Sequence, residues 1–355
     1  MQRLIMEKKI LLFLAIVCVI VACGKKNRSA EVTTVAGSGT MKFADGKGTD
    51  ASFSNLMGLA VDSGGNVYVA DSRNNRIRKV RPDGVVTTIA GSGKDGSTDG
   101  KADSASFFFP VAVAAGANGN VYVADTHNSL IRKISPDGIV STLVGRNQPV
   151  KKDLSDSLQK LDNPYGIAVG KDGTIYFTDW AKDLICKISP DGKLSEVAGD
   201  GAPGAVDGKG HAASFYLPEG IAVDDHNNLY ISDCYNNIIR KIDPNGIVTT
   251  LAGRAFKRNQ GSKNGKGAAA SFNHPCGIAV DRKGNVYVAD VGNNKIRKVT
   301  PDGVVSTFAG TGKRGAANGA IDSATFNRPF GVAVDREGNV YVADYQNNMV
   351  RKINN

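Results

Sequence analysis

The sequence predicts an all-β fold, a closed six-bladed β-propeller of four-stranded antiparallel blades, on three observations. A unit of about 54 residues recurs six times, each copy holds four short runs rich in Val, Ile, Tyr and Thr, and the run missing from the last copy stands ahead of the first.

Composition agrees with this reading. Among 355 residues there are 42 Gly, 13 Phe, 10 Tyr and a single Trp, a balance that suits short strands and tight turns rather than helices with long apolar stripes. The formal net charge is +10, of which Arg3, Lys8 and Lys9 against Glu7 supply +2, leaving about +8 on the remainder. A basic balance of this size bears on solubility and non-specific association and selects no partner.

Residues 1–22 have the anatomy of an export signal: a basic start, then an apolar run from Ile10 to Ala22, thirteen residues and too short to span a hydrocarbon core as a helix. The run ends in Ile20-Val21-Ala22-Cys23, which resembles the lipobox of bacterial lipoproteins. That resemblance implies a lipoprotein signal peptide over 1–22, cleavage before Cys23, and diacylglycerol on its thiol with acylation of the new amino group. Several acyl chains anchor a protein firmly. Gly24 in place of Asp is compatible, by the Gram-negative sorting rule, with passage to the outer membrane. Cys18 is the poorer candidate because Val17 is larger than the small residue a lipobox wants. Residues 23–30 then form a lipidated tether, and 31–355 the propeller.

The repeat is clearest in its fifth copy: Phe272-Asn-His-Pro-Cys-Gly-Ile-Ala-Val-Asp281, Gly284-Asn-Val-Tyr-Val-Ala-Asp290, Asn293-Asn-Lys-Ile-Arg-Lys-Val299 and Pro301-Asp-Gly-Val-Val-Ser-Thr-Phe-Ala-Gly310. The Asp closing the second run falls at Asp71, Asp125, Asp179, Asp233, Asp290 and Asp344, a spacing of 54 with one step of 57. Each run is bounded by turn residues. Gly284 and Gly303 supply positive φ, and Pro301 presets the first central residue of its turn. The first two runs are apolar on both faces, which requires each small sheet to lie between two others. Radial stacking meets that requirement and leaves only short edges. The fourth run, as in Val86-Thr87-Thr88, is more hydroxylated and suits the outer edge. The sixth copy stops at residue 355 without its fourth run, while Glu31-Val32-Thr33-Thr34-Val35-Ala36-Gly37 matches the missing piece. The amino end is therefore expected to complete the last blade.

Pro-x-Gly-Ile-Ala-Val-Asp, Asn-Val-Tyr-Val-Ala-Asp and Asn-Asn-x-Ile-Arg-Lys resemble the NHL repeat family, and the resemblance covers residues 31–355. Departures are local. The first copy has Leu56 where others have Pro, the second has Ala112 for Gly, and the third has Cys186 for Arg.

In propellers of this strand order the loop between the second and third strands and the loop between blades share one face. Non-repeated residues there are the candidate ligand readers. The position between Pro and Gly reads Met57, Val111, Tyr165, Glu219, Cys276 and Phe330 around the channel mouth, and the rim carries Trp180, Tyr235 and Tyr345. Tyr165, Trp180, Glu219, Tyr235, His274, Phe330 and Tyr345 are the candidate ligand-binding set. Aromatic faces with few directed polar groups suit a glycan, a peptide or a partner protein; the competing reading is that these side chains only plug the channel.

Other motifs argue for structure. Gly46-Lys47-Gly48, Gly208-Lys209-Gly210 and Gly265-Lys266-Gly267 fit neither a phosphate loop nor a calcium loop, and read as loops whose following Phe anchors the next blade. The four His residues sit at four different places in the unit, so no metal site is expected, nor any cofactor. Cys186, Cys234 and Cys276 are an odd set, read as unpaired structural thiols although Cys234 and Cys276 lie on one face of adjacent blades. The repeated Arg-Lys pairs read as carboxylate partners or solvated residues; export removes nucleic acid as a ligand, and an RNA site would show binding that falls steeply with salt. With no catalytic residue identified, the sequence reads as a non-enzymatic lipoprotein of the cell envelope. Six-bladed relatives in the lyase and lactonase classes supply the alternative, a metal-dependent hydrolase or lyase with a site at the central channel.

Overall fold

A computed structural model describes residues 30–145, 161–255 and 260–354. The expected signal peptide, Cys23 and all of the tether but its last residue lie outside the described residues. From Glu31 onward the chain is one compact unit, folded as a six-bladed β-propeller.

The first blade shows how the repeat becomes a sheet. Its strands run from the axis outward as Leu56–Val61, Val67–Asp71, Arg76–Val80 and Val85–Ala90, each antiparallel to the next. The Asp-x-x-Gly-Asn turn between the first two is closed by Asp62, whose Oδ1 accepts from the Gly64 and Asn66 amides and whose Oδ2 accepts from Asn66 Nδ2 and the Tyr68 hydroxyl. Burial, with Asp62 beside it, pushes the Tyr68 hydroxyl up to about 12. Between the second and third strands Ser72–Asn74 makes one 3-10 turn, and Asn75 leaves it in the left-handed region at φ 51°, a conformation Asn tolerates better than most residues.

Four strands per blade were expected, and five blades carry a fifth. A two-residue strand, such as Gly46–Lys47 in the first blade, pairs outside the fourth strand; only the blade of Pro164–Val169, Ile175–Asp179, Leu184–Ile188 and Leu194–Ala198 stops at four among the described residues. The Gly-Lys-Gly loops are thus edge covers, which blunt an otherwise open row of backbone groups. The Phe after each is fully buried, as at Phe53, Phe215 and Phe272.

Closure follows the sequence. Glu31–Ala36 lies between Met349–Ile353 and Gly319–Ala320, with Val32 opposite Ile353, Thr33 opposite Lys352 and Thr34 opposite Arg351. The innermost strands neighbour one another in an unbroken circuit, the sixth against the first. They approach so closely that a Cβ on Gly220 would stand 2.3 Å from the Cys276 carbonyl oxygen, so this blade contact needs Gly, whereas the second blade accommodates Ala112 at the same register. Apolar clusters fill the wedges between blades, for example Leu59, Val67 and Val69 against Ala333, Tyr341 and Ala343. Each such aliphatic side chain is worth about 1.5–3 kcal/mol relative to exposure.

The repeated Asp and Arg meet inside each blade. Asp71 Oδ1 accepts from the Ser54 amide at 2.7 Å, while Oδ2 accepts from Asn74 Nδ2 at 2.9 Å and Arg78 Nη1 at 2.6 Å. Arg78 continues to the carbonyls of Ser52 and Ala44 and to Asp45, and lies 5.2 Å over the Phe53 ring. Arg132, Arg240, Arg297 and Arg351 repeat the arrangement, all fully buried. Of the two readings of the Arg-Lys pairs, the Arg is a carboxylate partner.

The third blade lacks this pair because Cys186 occupies the Arg position. Asp179 accepts the Asp162 amide at 3.0 Å, its Oδ1 has no hydrogen-bond partner among the described residues, and burial pushes its carboxyl up to about 7. An acid whose pKa is higher folded than unfolded costs stability as it is forced to ionise, so its contribution worsens as pH rises through roughly 4 to 7. Asp179→Asn is expected to remove that slope. Relative to wild type the variant should gain about 2–3 kcal/mol between pH 5 and pH 8, at about 1.4 kcal/mol per pH unit of differential titration, measured by urea denaturation at the two pH values.

Candidate functional site

One end of the channel gathers the residues that depart from the repeat. Tyr165, Glu219, Cys276 and Phe330 stand between Pro and Gly at the starts of four innermost strands, and border an axial cavity of about 60 Å³. Hydroxyls on two of the second strands tie one strand start to that of the next blade. Thr178 Oγ1 accepts the Gly166 amide and donates to the Glu219 carbonyl, both at 2.8 Å, and Ser232 Oγ accepts the Gly220 amide and donates to the Cys276 carbonyl.

The predicted aromatic residues form a curved row over this opening. Tyr345 lies 6.2 Å from Phe330, Phe330 6.1 Å from Tyr165, and Tyr165 6.1 Å from Trp180, measured between ring centroids. The Tyr165 and Trp180 rings are near parallel at 24°. All four are half-buried, so ring surface remains open to a ligand. Burial, with Glu219 nearby, raises the Tyr165 hydroxyl far above its ordinary value, which keeps it a neutral hydrogen-bond donor. Among the described residues Trp180 Nε1 has no hydrogen-bond partner. The Tyr345 hydroxyl accepts from Asn55 Nδ2 at 3.3 Å.

Tyr235 and His274 make a second group, 5.6 Å apart edge to face, with Tyr216 5.3 Å from Tyr235. His274 Nδ1 is paired with Asn273 Oδ1 at 2.9 Å, and burial with Arg328 nearby lowers its pKa. At neutral pH this His is an uncharged ring. The seven predicted residues therefore fall into an aromatic row, a Tyr–His pair and a lone acid.

Glu219 is buried, though it lines the same cavity as Tyr165 and Phe330. Its closest titratable companions are the thiols of Cys234 and Cys276; the carboxylate oxygen and the two sulfurs lie within 4.8 Å of one another. Sequence reasoning left both Cys out of the site, because Cys234 follows the repeated Asp in one blade while Cys276 sits between Pro and Gly in the next. Their convergence depends on the rotation between blades. Both are free thiols. Burial pushes the Glu219 carboxyl up to about 7 against the hydrogen bonds of the two thiols. The Cys276 hydrogen bond pulls the Cys234 thiol down, but burial and Glu219 outweigh it and hold it at about 12. Burial, the Cys234 hydrogen bond and Glu219 drive Cys276 well above the ordinary thiol value.

Comparison with known proteins follows the blades. The NHL repeat family matches residues 53–80, 107–134, 215–242 and 326–353, and the Teneurin NHL domain matches 254–318. The blade without the buried Asp–Arg pair lies outside these matches. The chain is 31% identical over 313 residues to Protein SUPPRESSOR OF QUENCHING 1, chloroplastic, from Arabidopsis thaliana, covering 83% of this chain and 30% of that protein. It is 30% identical over 329 residues to NHL repeat-containing protein 2 of Gallus gallus, covering 81% and 45% respectively. The chain thus spans less than half the length of these relatives. Among solved structures, an auxiliary nutrient binding protein from Bacteroides thetaiotaomicron superposes with a TM-score of 0.69 at 18% identity, over 91% of this chain and 76% of that one. At that identity the likeness establishes the fold alone. Six blades from one recurring unit, matched by NHL families in five of them and closed by the amino-terminal strand, make this chain an NHL-repeat six-bladed β-propeller.

Proposed function

We propose that the chain is a non-enzymatic cell-envelope lipoprotein whose propeller presents the Tyr345–Phe330–Tyr165–Trp180 row to a glycan, a peptide or a partner protein. The row itself carries the reading. Four half-buried rings with centroids about 6 Å apart offer rigid apolar faces at low conformational cost, edged by few directed polar groups. A neighbour named as an auxiliary nutrient binding protein supports a binding role and an envelope location.

The test is binding of the full chain to glycan and peptide arrays. Trp180→Ala and Phe330→Ala are each expected to weaken a captured ligand about 30-fold, the roughly 2 kcal/mol typical of a central aromatic anchor. Unchanged binding in both variants would move the site off this face, and silent arrays would favour a protein partner. Anchoring through Cys23 is checked separately. Cys23→Ser should shift the protein from the membrane fraction to the soluble fraction, and an unaltered distribution would remove the lipid from the proposal.

A further inference from the structure

The row of rings leaves Glu219, Cys234 and Cys276 without a role. These are not residues that building a blade requires. At the position of Glu219 and Cys276 the other blades carry Met57, Val111, Tyr165 and Phe330, and at the position of Cys234 they carry Ser72, Thr126, Trp180, Val291 and Tyr345. Three departures from the repeat, on two adjacent blades, converge on one point. A buried carboxyl with an unpartnered oxygen is costly, and Glu219 Oε2 has no hydrogen-bond partner among the described residues.

We propose that Glu219, Cys234 and Cys276 form a binding site for a thiophilic divalent cation of the zinc class, with two thiolates and one carboxylate oxygen as ligands and a fourth position facing the axial cavity. It is the only group of three or more candidate metal ligands among the described residues. Tetrahedral zinc, with Zn–S near 2.3 Å and Zn–O near 2.1 Å, sets ligand separations at about 3.5–3.8 Å. The ligand atoms already lie within 4.8 Å of one another, so side-chain rotations that close each gap by up to about 1.3 Å complete the cage. Two sulfurs select zinc-like cations over magnesium or calcium, which prefer oxygen.

The backbone around the site is fixed before any ion arrives. Cys276 and Glu219 have their carbonyls held by Ser232 and Thr178, and Cys234 follows Asp233, which is locked by Asn236 and Arg240. Cys276 Sγ also lies 3.5 Å from the His274 carbonyl oxygen. Metal binding exchanges the two thiol protons, and the Glu219 proton where present, for one divalent cation. The 60 Å³ cavity borders Glu219 and Cys276 and has room for a water as fourth ligand. It is also the path by which an ion reaches the site from the channel.

Cobalt(II) titration of the reduced, anaerobic, detergent-solubilised full chain tests this. One equivalent should produce an intense thiolate-to-cobalt charge-transfer band that zinc abolishes. Cys234→Ser and Cys276→Ser should each lose the band and weaken zinc binding more than 100-fold, beyond the 10- to 100-fold loss usual for an outer-shell partner. Glu219→Gln should keep sulfur ligation with lower affinity. Near-UV circular dichroism establishes that the variants are folded. Should a Ser variant fail to fold, zinc-edge X-ray absorption on the wild type decides instead, with two sulfur neighbours expected. A zinc shell of oxygen and nitrogen alone, a band that survives in both Ser variants, or a Cys234–Cys276 disulfide whose reduction restores no cobalt site would each overturn the proposal. Array binding repeated in EDTA reads the aromatic row separately, so the two proposals fail independently.

Discussion

Val32→Asp should open the sixth blade. Val32 is fully buried among Phe326, Val340 and Ile353, opposite Ile353 in the pairing that closes the ring. The substitution removes buried apolar surface and places a carboxylate inside an apolar cluster. Each effect is worth several kcal/mol on its own. Within the sheet the strand pairs only with Met349–Ile353 and the two-residue Gly319–Ala320, so detaching it is cheaper than burying the charge. The expected result is a melting temperature lower by several degrees, with residues 31–36 cleaved early in limited proteolysis and the edge of Met349–Ile353 free to pair between molecules. A variant with unchanged melting and unchanged protection of this segment would show that the ring does not depend on the clasp.

Arg132→Leu should cost about 3–5 kcal/mol, because it strips the partner from a buried carboxylate rather than removing a neutral contact. Arg132 donates to Asp125 at 2.8 Å, to Asp99 at 2.7 Å and 3.2 Å, and to the carbonyls of Ser106 and Thr98, and lies 5.2 Å over Phe107. One guanidinium thus joins the second strand, the third strand and the loop from the previous blade. Arg132→Lys keeps the charge but not the fork, and is expected to lose more than about 1 kcal/mol. Arg132→Leu combined with Asp125→Leu should lose less than the sum of the two single changes. Urea denaturation of the wild type and the four variants, Asp125→Leu included, measures all three expectations, and additivity in the double variant would mean that the two groups do not act as a pair.

The architecture was legible because its causes are local and repeated. Val-Tyr-Val-Ala-Asp, its turn Gly and the hydroxylated fourth run recur at one period, and the displaced Glu31–Ala36 piece carries the pattern of the strand it completes. The fifth strands were not legible. Gly46–Lys47 is two residues long and has no side-chain periodicity to read, and its pairing with Val85 and Val86 is visible only in space. The site was legible in part. Aromatic substitutions at fixed repeat positions identified Tyr165, Trp180, Phe330 and Tyr345, because the repeat assigns those positions to one end of the channel. Glu219 stands out as the single acid in that ring, and the pattern puts Cys276 in the same ring and Cys234 on the same face of the adjacent blade, but does not show their approach to Glu219. Cys234 and Cys276 are 42 residues apart and occupy different positions of the unit; their meeting follows from the angle between two blades, which no local pattern encodes.

The clasp also governs when folding can finish. Thr34 and Met349 contact each other across 315 residues of chain, so the earliest described strand finds its partner only after the latest has been made. During vectorial synthesis the first segment waits through the assembly of five blades, and the final step is the closing of a very large loop. Such long-range closure is entropically slow, and a nascent chain meanwhile exposes the strand edges at which multi-unit proteins misassemble.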